Sequence, residues 1–233
     1  MPESLFTQGL EIDGYALSRA HGSSGFYLRV GKQCVDLVTS ACGIVLASPI
    51  LVACACAIKL GSSGPILFRQ QRVGLGGKLF SVLKFRSMRV GSERDRLKIT
   101  VAGDPRVTAV GKWLRKTKLD ELPQLFNVLC GDMSLIGPRP EVPEYVRDYD
   151  QAQRLVLQVK PGITGPSSLE FIDEEELLRG ASDPQHFYRT RILPRKIELD
   201  LQYCQRASFS SDCGIVFRTL WRLLAVRRLF TSL

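Results

Sequence analysis

The stretch "TKLDELPQLFNVLCGDMSLIGPRP", residues 117–140, places two adjacent acids before a helical pattern and a rigid turn after it. A helix that began at Thr117 would carry Pro123 in its interior, where proline removes a backbone hydrogen bond. With Asp120 as the N-cap, Pro123 falls in the first turn, where proline is tolerated. The sequence therefore predicts a helix that begins at Asp120 and ends at Gly131. Its predicted inward stripe contains four apolar residues, Leu122, Leu125, Phe126 and Leu129.

Two interpretations of Asp120 and Glu121 are open at this point. In the first, Asp120 caps the helix and Glu121 complements the helix dipole. In the second, the two carboxylates belong to a site for a metal-bound diphosphate. Arg139 stands between two prolines that restrict the backbone and so direct its guanidinium, whose fork suits a phosphate. The positive charges that precede the acids are Lys112, Arg115, Lys116 and Lys118.

The composition of the whole chain also indicates an anionic partner. The 233 residues carry a net charge of +9, which favours nucleic acid, a phosphate-bearing substrate or anionic lipid. Since no nucleic-acid reader motif is present, we expect no nucleic-acid partner. The 7 cysteines contain no CxxC pair and the 2 histidines lie far apart, so neither a zinc site nor a disulfide framework is expected, and a reducing compartment fits better.

A charge-free apolar segment lies between Asp36 and Lys59, with the sequence "LVTSACGIVLASPILVACACAI". As a helix it would be about 33 Å long, enough for a bilayer core of roughly 30 Å. Pro49 stands near its middle, and Ser48 beside it can satisfy a carbonyl that proline frees. Basic residues flank both ends, which favours the cytoplasmic side for both. A helix-break-helix hairpin that enters one leaflet fits this pattern; a straight span and a buried core helix are the alternatives.

We predict three parts of the chain from these patterns: a loose N-terminal tail in residues 1–30, the membrane helix in 31–60 and a cytosolic-face catalytic domain in 61–233. Residues 65–72 and 78–87 alternate around a glycine-rich turn and predict a β-hairpin. The turn lacks the spacing of a phosphate-binding loop.

Several further helices are predicted. Asp104 as cap and Pro105 at the first helical position predict a helix start, with an apolar stripe of Val107, Val110 and Leu114. The acids of residues 173–176 are typical of a solvated first helical turn, and residues 194–207 are predicted to be helical.

From about residue 29 onward the chain resembles the bacterial sugar transferase family, the small monotopic phosphoglycosyl transferases. The matching stretches are "SP" at 48–49, "GPILFRQQRVGLGGKLFSVLKFRSM", "LRKTKLDELPQLFNVLCGDMSLIGPRPE" and "KPGITG". The resemblance implies a small mixed α/β domain with a β-hairpin and interfacial amphipathic helices, seated on an N-terminal re-entrant membrane helix. It also implies transfer of a phosphosugar from a nucleotide diphosphate sugar, with UDP-sugar expected, to polyprenol phosphate. That reaction initiates capsule, exopolysaccharide, O-antigen or glycoconjugate synthesis.

The resemblance also implies roles for single residues. Asp120 would be the nucleophile that carries a covalent phosphosugar, and Glu121 would be the ligand of a Mg²⁺ cofactor. Arg139 would bind a phosphate, and Arg115 and Lys84 would lie near the active site. Ser48 and Pro49 would form the break in the membrane helix.

The location and the partners follow from the same resemblance. The expected location is the bacterial inner membrane, with the catalytic domain on the cytoplasmic face and the lipid bilayer as a partner. Many members follow "PGITG" with Gln-Val and then Gly-Arg, whereas this chain continues with "PSSLEFIDEEELL". The identity of the sugar therefore stays open. Formation of a homo-oligomer is also left open by the sequence. A non-catalytic adaptor that binds anionic lipid at the membrane surface is the alternative function.

Overall fold

The computed structural model describes residues 27–91 and 99–228. The predicted N-terminal tail lies outside the described residues up to residue 26. Helices and two pairs of strands alternate along the chain, which confirms the predicted small mixed α/β domain. The strands are β1 Leu67–Val73, β2 Leu79–Phe85, β3 Ser134–Ile136 and β4 Gly162–Thr164. The α-helices are α1 Lys32–Gly61, α2 Ala109–Lys116, α3 Gln124–Leu129, α4 Pro143–Val146, α5 Pro166–Glu170, α6 Glu174–Arg179, α7 Pro184–Phe187, α8 Leu193–Arg206 and α9 Phe209–Arg228.

The predicted hairpin is confirmed as the antiparallel pair of β1 and β2. Their register runs from Leu67 opposite Phe85 to Val73 opposite Leu79. Gly76 lies in the connecting turn with a φ of 64°, a left-handed conformation that glycine adopts without steric cost. The hairpin thereby carries Lys84, the second-last residue of β2, to one fixed place beside α3.

The second pair of strands explains the glycines of "GPRP" and "KPGITG". β3 and β4 are parallel, with Ser134 opposite Gly162. A Cβ added at Gly162 would lie 2.1 Å from the backbone nitrogen of Gly137, and one added at Gly165 would lie 2.2 Å from the carbonyl oxygen of Gly137. Only residues without a side chain fit these two positions. The backbone of "KPGITG", which contains β4, therefore packs directly against the turn that follows β3.

The apolar segment forms α1, the one helix in the described part of the chain that is long and apolar enough to cross a membrane. Its surface is mostly exposed, with Leu46 at 80% and Leu60 at 89%. A core helix of a soluble protein would be mostly buried, so this alternative is disfavoured. Ser48 and Pro49 lie within a single continuous helix, where Ser48 Oγ donates to the carbonyl oxygen of Val45 at 2.8 Å. The re-entrant course stays a prediction.

Both ends of α1 contact the same globular domain. Near its start, Asp36 is buried and accepts a hydrogen bond from the backbone N–H of Leu135 at 3.0 Å. Near its end, Ile58 is buried in a cluster with Leu114 of α2 and Phe85 of β2. The helix therefore does not leave the domain at either end.

A cluster of polar groups joins the start of α1 to the C-terminal helices. Asp212 of α9 is buried and accepts from Lys32 Nζ at 2.5 Å, from the Tyr27 hydroxyl at 2.8 Å and from the Tyr203 hydroxyl at 2.8 Å. A buried carboxylate is stable only with such partners. The predicted helix over 194–207 is confirmed as α8, which carries Tyr203.

The predicted helix start at Asp104 is wrong. α2 begins at Ala109, and the Thr108 hydroxyl caps it by accepting from the backbone N–H of Gly111 at 2.9 Å. Asp104 instead accepts from the Arg106 guanidinium at 2.6 Å. A charge-assisted pair two residues apart competes with the capping role and holds this segment as a turn. Of the predicted stripe, Leu114 is fully buried.

The predicted inward stripe of the following helix is wrong at two of its four positions, since Leu122 and Leu125 are partly buried but the other two residues are not. α3 exposes Phe126 and Leu129, each at 39%, and buries Asn127. The reason is a pair of hydrogen bonds to β2, because Asn127 accepts from the N–H of Leu83 at 2.9 Å and donates to the carbonyl oxygen of Ser81 at 2.8 Å. These two bonds turn a polar face of the helix toward the hairpin. The predicted end at Gly131 is confirmed by its φ of 85°.

Candidate functional site

Glu121 lies between two cations that come from distant parts of the chain. Its Oε1 accepts from Lys84 Nζ at 2.7 Å and from Arg139 Nη2 at 2.8 Å. Although burial alone would raise the pKa of Glu121, the charges of Arg139 and Lys84 hold it well below its usual range. The group is therefore a carboxylate at neutral pH and presents hard oxygen atoms for a cation.

Asp120 is in the opposite electrostatic situation. It is 7% exposed, and its Oδ1 has no hydrogen-bond partner within the described residues. Burial and the neighbouring charge of Glu121 raise the pKa of Asp120 to about 6, against the opposing charges of Lys84, Arg115 and Lys118. A buried carboxyl oxygen without a partner costs stability. Such a group next to a second carboxylate is a candidate for chemistry.

The backbone before the acids explains how they come to lie side by side. Lys118 has a φ of 57°, a left-handed conformation that costs a residue with a side chain on the order of 1 kcal/mol. A 3₁₀ turn over Leu119–Glu121 follows it, and α3 begins only at Gln124 after Pro123. The prediction that Asp120 caps the helix is therefore wrong. The predicted start of the helix at Asp120 is also wrong, because the helix begins four residues later, at Gln124, with Pro123 directly before it.

Arg139 lies in a turn whose backbone is held by hydrogen bonds at this residue and at the next. Its own N–H donates to Asp200 Oδ2 at 3.1 Å. The carbonyl oxygen of the next residue, Pro140, accepts from Arg72 Nη1 at 2.9 Å. Glu141 is buried and accepts from the Tyr188 hydroxyl at 2.6 Å. The predicted role of the prolines is thus shared with three side chains from β1, α8 and the segment before α8.

Asp200 is a positioning residue that sequence reasoning missed. Besides the N–H of Arg139, it accepts from the Ser167 hydroxyl at 2.8 Å. Burial raises the pKa of Asp200 to about 6, and its hydrogen bonds oppose that rise. Asp200 joins α8 and the start of α5 to the turn that carries Arg139. It occupies one face of a helix that also buries Lys196 and Tyr203, and this polar face was the available signal.

The structure brings four predicted residues together: Lys84, Asp120, Glu121 and Arg139. Arg115 lies within electrostatic reach of Asp120, but its guanidinium pairs with Glu175 at 2.5 Å. Ser48 and Pro49 lie in α1, and no contact among the described residues joins them to this cluster.

Asp120 and Glu121 are the residues that could hold Mg²⁺. The described residues contain no group of three or more His, Cys, Asp or Glu side chains arranged around a common point. Mg²⁺ does not require one, because it is usually bound by one or two carboxylates together with substrate phosphates and waters. The unpartnered Oδ1 of Asp120 and the ionised Glu121 fit that mode of binding.

Comparison with known proteins gives a family match over most of the chain. The family model described as bacterial sugar transferase matches residues 27–226. This range contains α1, both strand pairs, the acids and the turn of Arg139.

Curated relatives are similar over most of the chain. A UDP-glucose:undecaprenyl-phosphate glucose-1-phosphate transferase of Klebsiella pneumoniae is 41% identical over 196 residues, which cover 83% of this chain and 40% of the relative. A UDP-N-acetylgalactosamine-undecaprenyl-phosphate N-acetylgalactosaminephosphotransferase of Aeromonas hydrophila is 42% identical, covering 83% of this chain and 43% of the relative. A shorter glucose-1-phosphate transferase of Caulobacter vibrioides is 40% identical, with 83% and 69% covered. The chain thus spans less than half the length of the first two.

Proposed function

The chain belongs to the bacterial sugar transferase family, and on that premise we propose that it transfers a phosphosugar from a UDP-sugar to polyprenol phosphate. The products are polyprenyl-diphosphate-sugar and UMP. The observation that carries the proposal is the buried, unpartnered Oδ1 of Asp120 beside a Glu121 that two cations keep ionised. Relatives that act on UDP-glucose and on UDP-N-acetylgalactosamine both support this class of donor.

Asp120 is the nucleophile in the proposed reaction. Its carboxylate oxygen forms a bond to the phosphorus that bears the sugar, and the bond from that phosphorus to the bridging oxygen breaks, so that UMP leaves with the electron pair. An oxygen of polyprenol phosphate then attacks the same phosphorus and releases the carboxylate. Covalent catalysis of this kind splits one difficult transfer into two easier steps.

The neighbours of Asp120 bind and orient the diphosphate. Mg²⁺, held by Glu121, would offset the charge of the phosphate oxygens. Arg139 and Lys84 both donate to Glu121 Oε1 and supply positive charge beside it. Burial lowers the pKa of Lys84, and the charge of Glu121 opposes that shift.

A membrane-surface adaptor explains the site less well. Such a protein needs exposed positive charge, which this chain has, and an apolar face. It has no use for a buried acid whose Oδ1 has no partner in the described part of the chain. That arrangement costs stability and is typical of a site that has been kept for chemistry.

The first test is release of UMP by the purified chain. We expect UMP from at least one member of a panel of UDP-sugars in the presence of Mg²⁺ and polyprenol phosphate. Addition of EDTA should abolish the release, and excess Mg²⁺ should restore it, because the diphosphate carries charge that the protein's cations alone do not neutralise. An adaptor would release no UMP under any of these conditions.

The membrane arrangement is part of the proposal. A straight helix of 30 residues would be about 45 Å long, so a bilayer crossing would carry its far end away from the domain. Both ends of α1 instead contact that domain, through Asp36 and through Ile58. This supports a re-entrant or interfacial course, with both ends on the cytoplasmic face of the inner membrane.

Tags test this course. A tag at the start of the chain and a tag at its end should both be protected from a membrane-impermeant label in intact cells and both react after lysis. Pro49→Ala restores a backbone donor within α1 and should shift a fraction of molecules toward a straight span. Labelling of the first tag in intact cells expressing the wild-type chain would contradict the re-entrant course.

A further inference from the structure

The sequence predicts a solvated first turn for the acid-rich helix α6. In the structure, two of its acids instead pair with basic side chains from other parts of the chain. Glu175 Oε1 accepts from two groups of the Arg115 guanidinium, Nε at 3.0 Å and Nη2 at 2.5 Å. The Arg115 side chain is 21% exposed and that of Glu175 is 38% exposed, so the pair lies at the surface of the site rather than within the core. Two charge-assisted bonds to one oxygen hold one edge of the guanidinium.

The backbone around Glu175 is fixed as well. Its carbonyl oxygen accepts from the N–H of Ala102 at 3.0 Å. Three residues earlier, the carbonyl oxygen of Ile172 accepts from Lys118 Nζ at 3.0 Å. At the start of α6, Glu174 pairs with the buried Lys196. This segment is therefore attached to the short stretch of chain, residues 115–118, that leads into Asp120.

The other edge of the Arg115 guanidinium is available to an anion. In the described part of the chain, Nη1 makes one contact, with Ser87 Oγ at 3.4 Å. A guanidinium binds a phosphate best when two parallel N–H groups face it in a fixed plane. Glu175 fixes that plane through Nε and Nη2, and Arg115 lies close enough to Asp120 for its charge to act on that carboxyl.

We propose that Glu175 is a positioning residue that holds Arg115 in the orientation in which it binds the diphosphate of the donor. This inference rests on the proposed function and identifies how the segment after "KPGITG" takes part in donor binding. A mobile glutamate that merely covered Arg115 in the free protein would have the opposite effect, because its removal would strengthen anion binding. The anchored backbone of Glu175 favours a permanent orienting contact.

The test compares Glu175→Ala with Glu176→Ala. Both variants remove one acid from α6. Among the described residues, however, Glu176 pairs only with Arg179 of the same helix, and both of these side chains are more than half exposed. UDP is the probe, because it carries the donor's diphosphate without the sugar. We expect Glu175→Ala to weaken UDP binding in isothermal titration about tenfold, as for a lost charge-assisted hydrogen bond. Glu176→Ala should bind UDP as the wild type does.

Steady-state kinetics with the active UDP-sugar should show the same pattern. Glu175→Ala should raise KM for the donor about tenfold and change kcat less than about twofold, since the lost contact is made in the ground state and in the transition state alike. In an Arg115→Ala background, Glu175→Ala should cause no further loss of UDP affinity, because the two side chains act as a unit. Equal melting temperatures of the two α6 variants show that folding is not the cause.

Three outcomes would overturn the inference. One is UDP affinity in Glu175→Ala equal to that in Glu176→Ala, and another is tighter binding, which would make Glu175 a competitor for Arg115. The third is a loss in the Arg115→Ala background as large as in the wild type. Each differs from failure of the proposed function, which would appear as a wild-type chain that releases no UMP. Absence of UDP binding to the wild type would overturn both.

Discussion

Asp120→Asn is expected to fold as the wild type does, to form no covalent adduct and to lose turnover by at least about three orders of magnitude, as for removal of a catalytic nucleophile. An amide oxygen does not form an acyl phosphate, and the neighbouring carboxylate of Glu121 is already held by Lys84 and Arg139. Folding should be preserved because burial disfavours the charge of Asp120, as its raised pKa indicates. The neutral, isosteric variant should therefore unfold at the same or a higher temperature.

The decisive measurement is the mass of the intact protein. With donor and Mg²⁺ but without polyprenol phosphate, the wild type should release about one equivalent of UMP and gain the mass of one phosphosugar at Asp120. Asp132→Asn is the matched control, since Asp132 is an exposed acid beyond the end of α3. That variant should form the adduct normally. Wild-type turnover by Asp120→Asn would make the acid a structural residue and refute the covalent mechanism.

Arg139→Ala should have the second-largest effect, a loss of about 2–4 kcal/mol of transition-state stabilisation, or roughly 30- to 1,000-fold in turnover. The guanidinium is removed from the phosphate and from Glu121 together, so Glu121 keeps only Lys84 and its pKa should rise toward the usual range. Stability should change little by comparison. The turn itself is held by the bond from the Arg139 N–H to Asp200 and by that from Arg72 to Pro140, and alanine keeps both.

The control for this substitution is Arg195→Ala. Arg195 pairs with Glu198 on the surface of α8, and both side chains are about half exposed. Arg195→Ala removes the same charge and the same side chain at a place without contact to the site. Single-turnover measurements should show the Arg139→Ala defect in the formation of the adduct. Unchanged turnover in a folded Arg139→Ala protein would show that this arginine takes no part in the reaction.

Local patterns in the sequence were sufficient for the features that depend on neighbouring residues. The hairpin follows from strand alternation around glycines, and the end of α3 follows from Gly131. The acid pair and Arg139 could be singled out because charge and proline spacing mark them within one short stretch. The resemblance implied that Lys84 would lie near the active site, and the structure places its Nζ 2.7 Å from Glu121 Oε1.

Features that depend on distant partners could not be predicted in this way. Asn127 is buried because it pairs with β2, 46 residues earlier in the chain at Ser81. Glu175 has its partner 60 residues away at Arg115, so its acid-rich neighbourhood was interpreted as solvated. The sequence around Asp104 is typical of a helix cap, but its carboxylate accepts a hydrogen bond from the nearby Arg106 guanidinium instead. For Asn127 and Glu175 a hydrogen bond to a distant residue decides the outcome, whereas for Asp104 a partner two residues away competes with the capping role.

The contacts of α1 also set an order of events during synthesis. Leu135 follows Asp36 by 99 residues, and Asp212 follows Lys32 by 180. At a translation rate of about 5–20 residues per second, roughly 10–35 seconds pass between the appearance of Lys32 and that of Asp212. Through that interval the apolar surface of α1 is without its C-terminal contacts. In the proposed membrane arrangement, the helix would therefore enter the bilayer before the segment that holds its first residue in place has been synthesised.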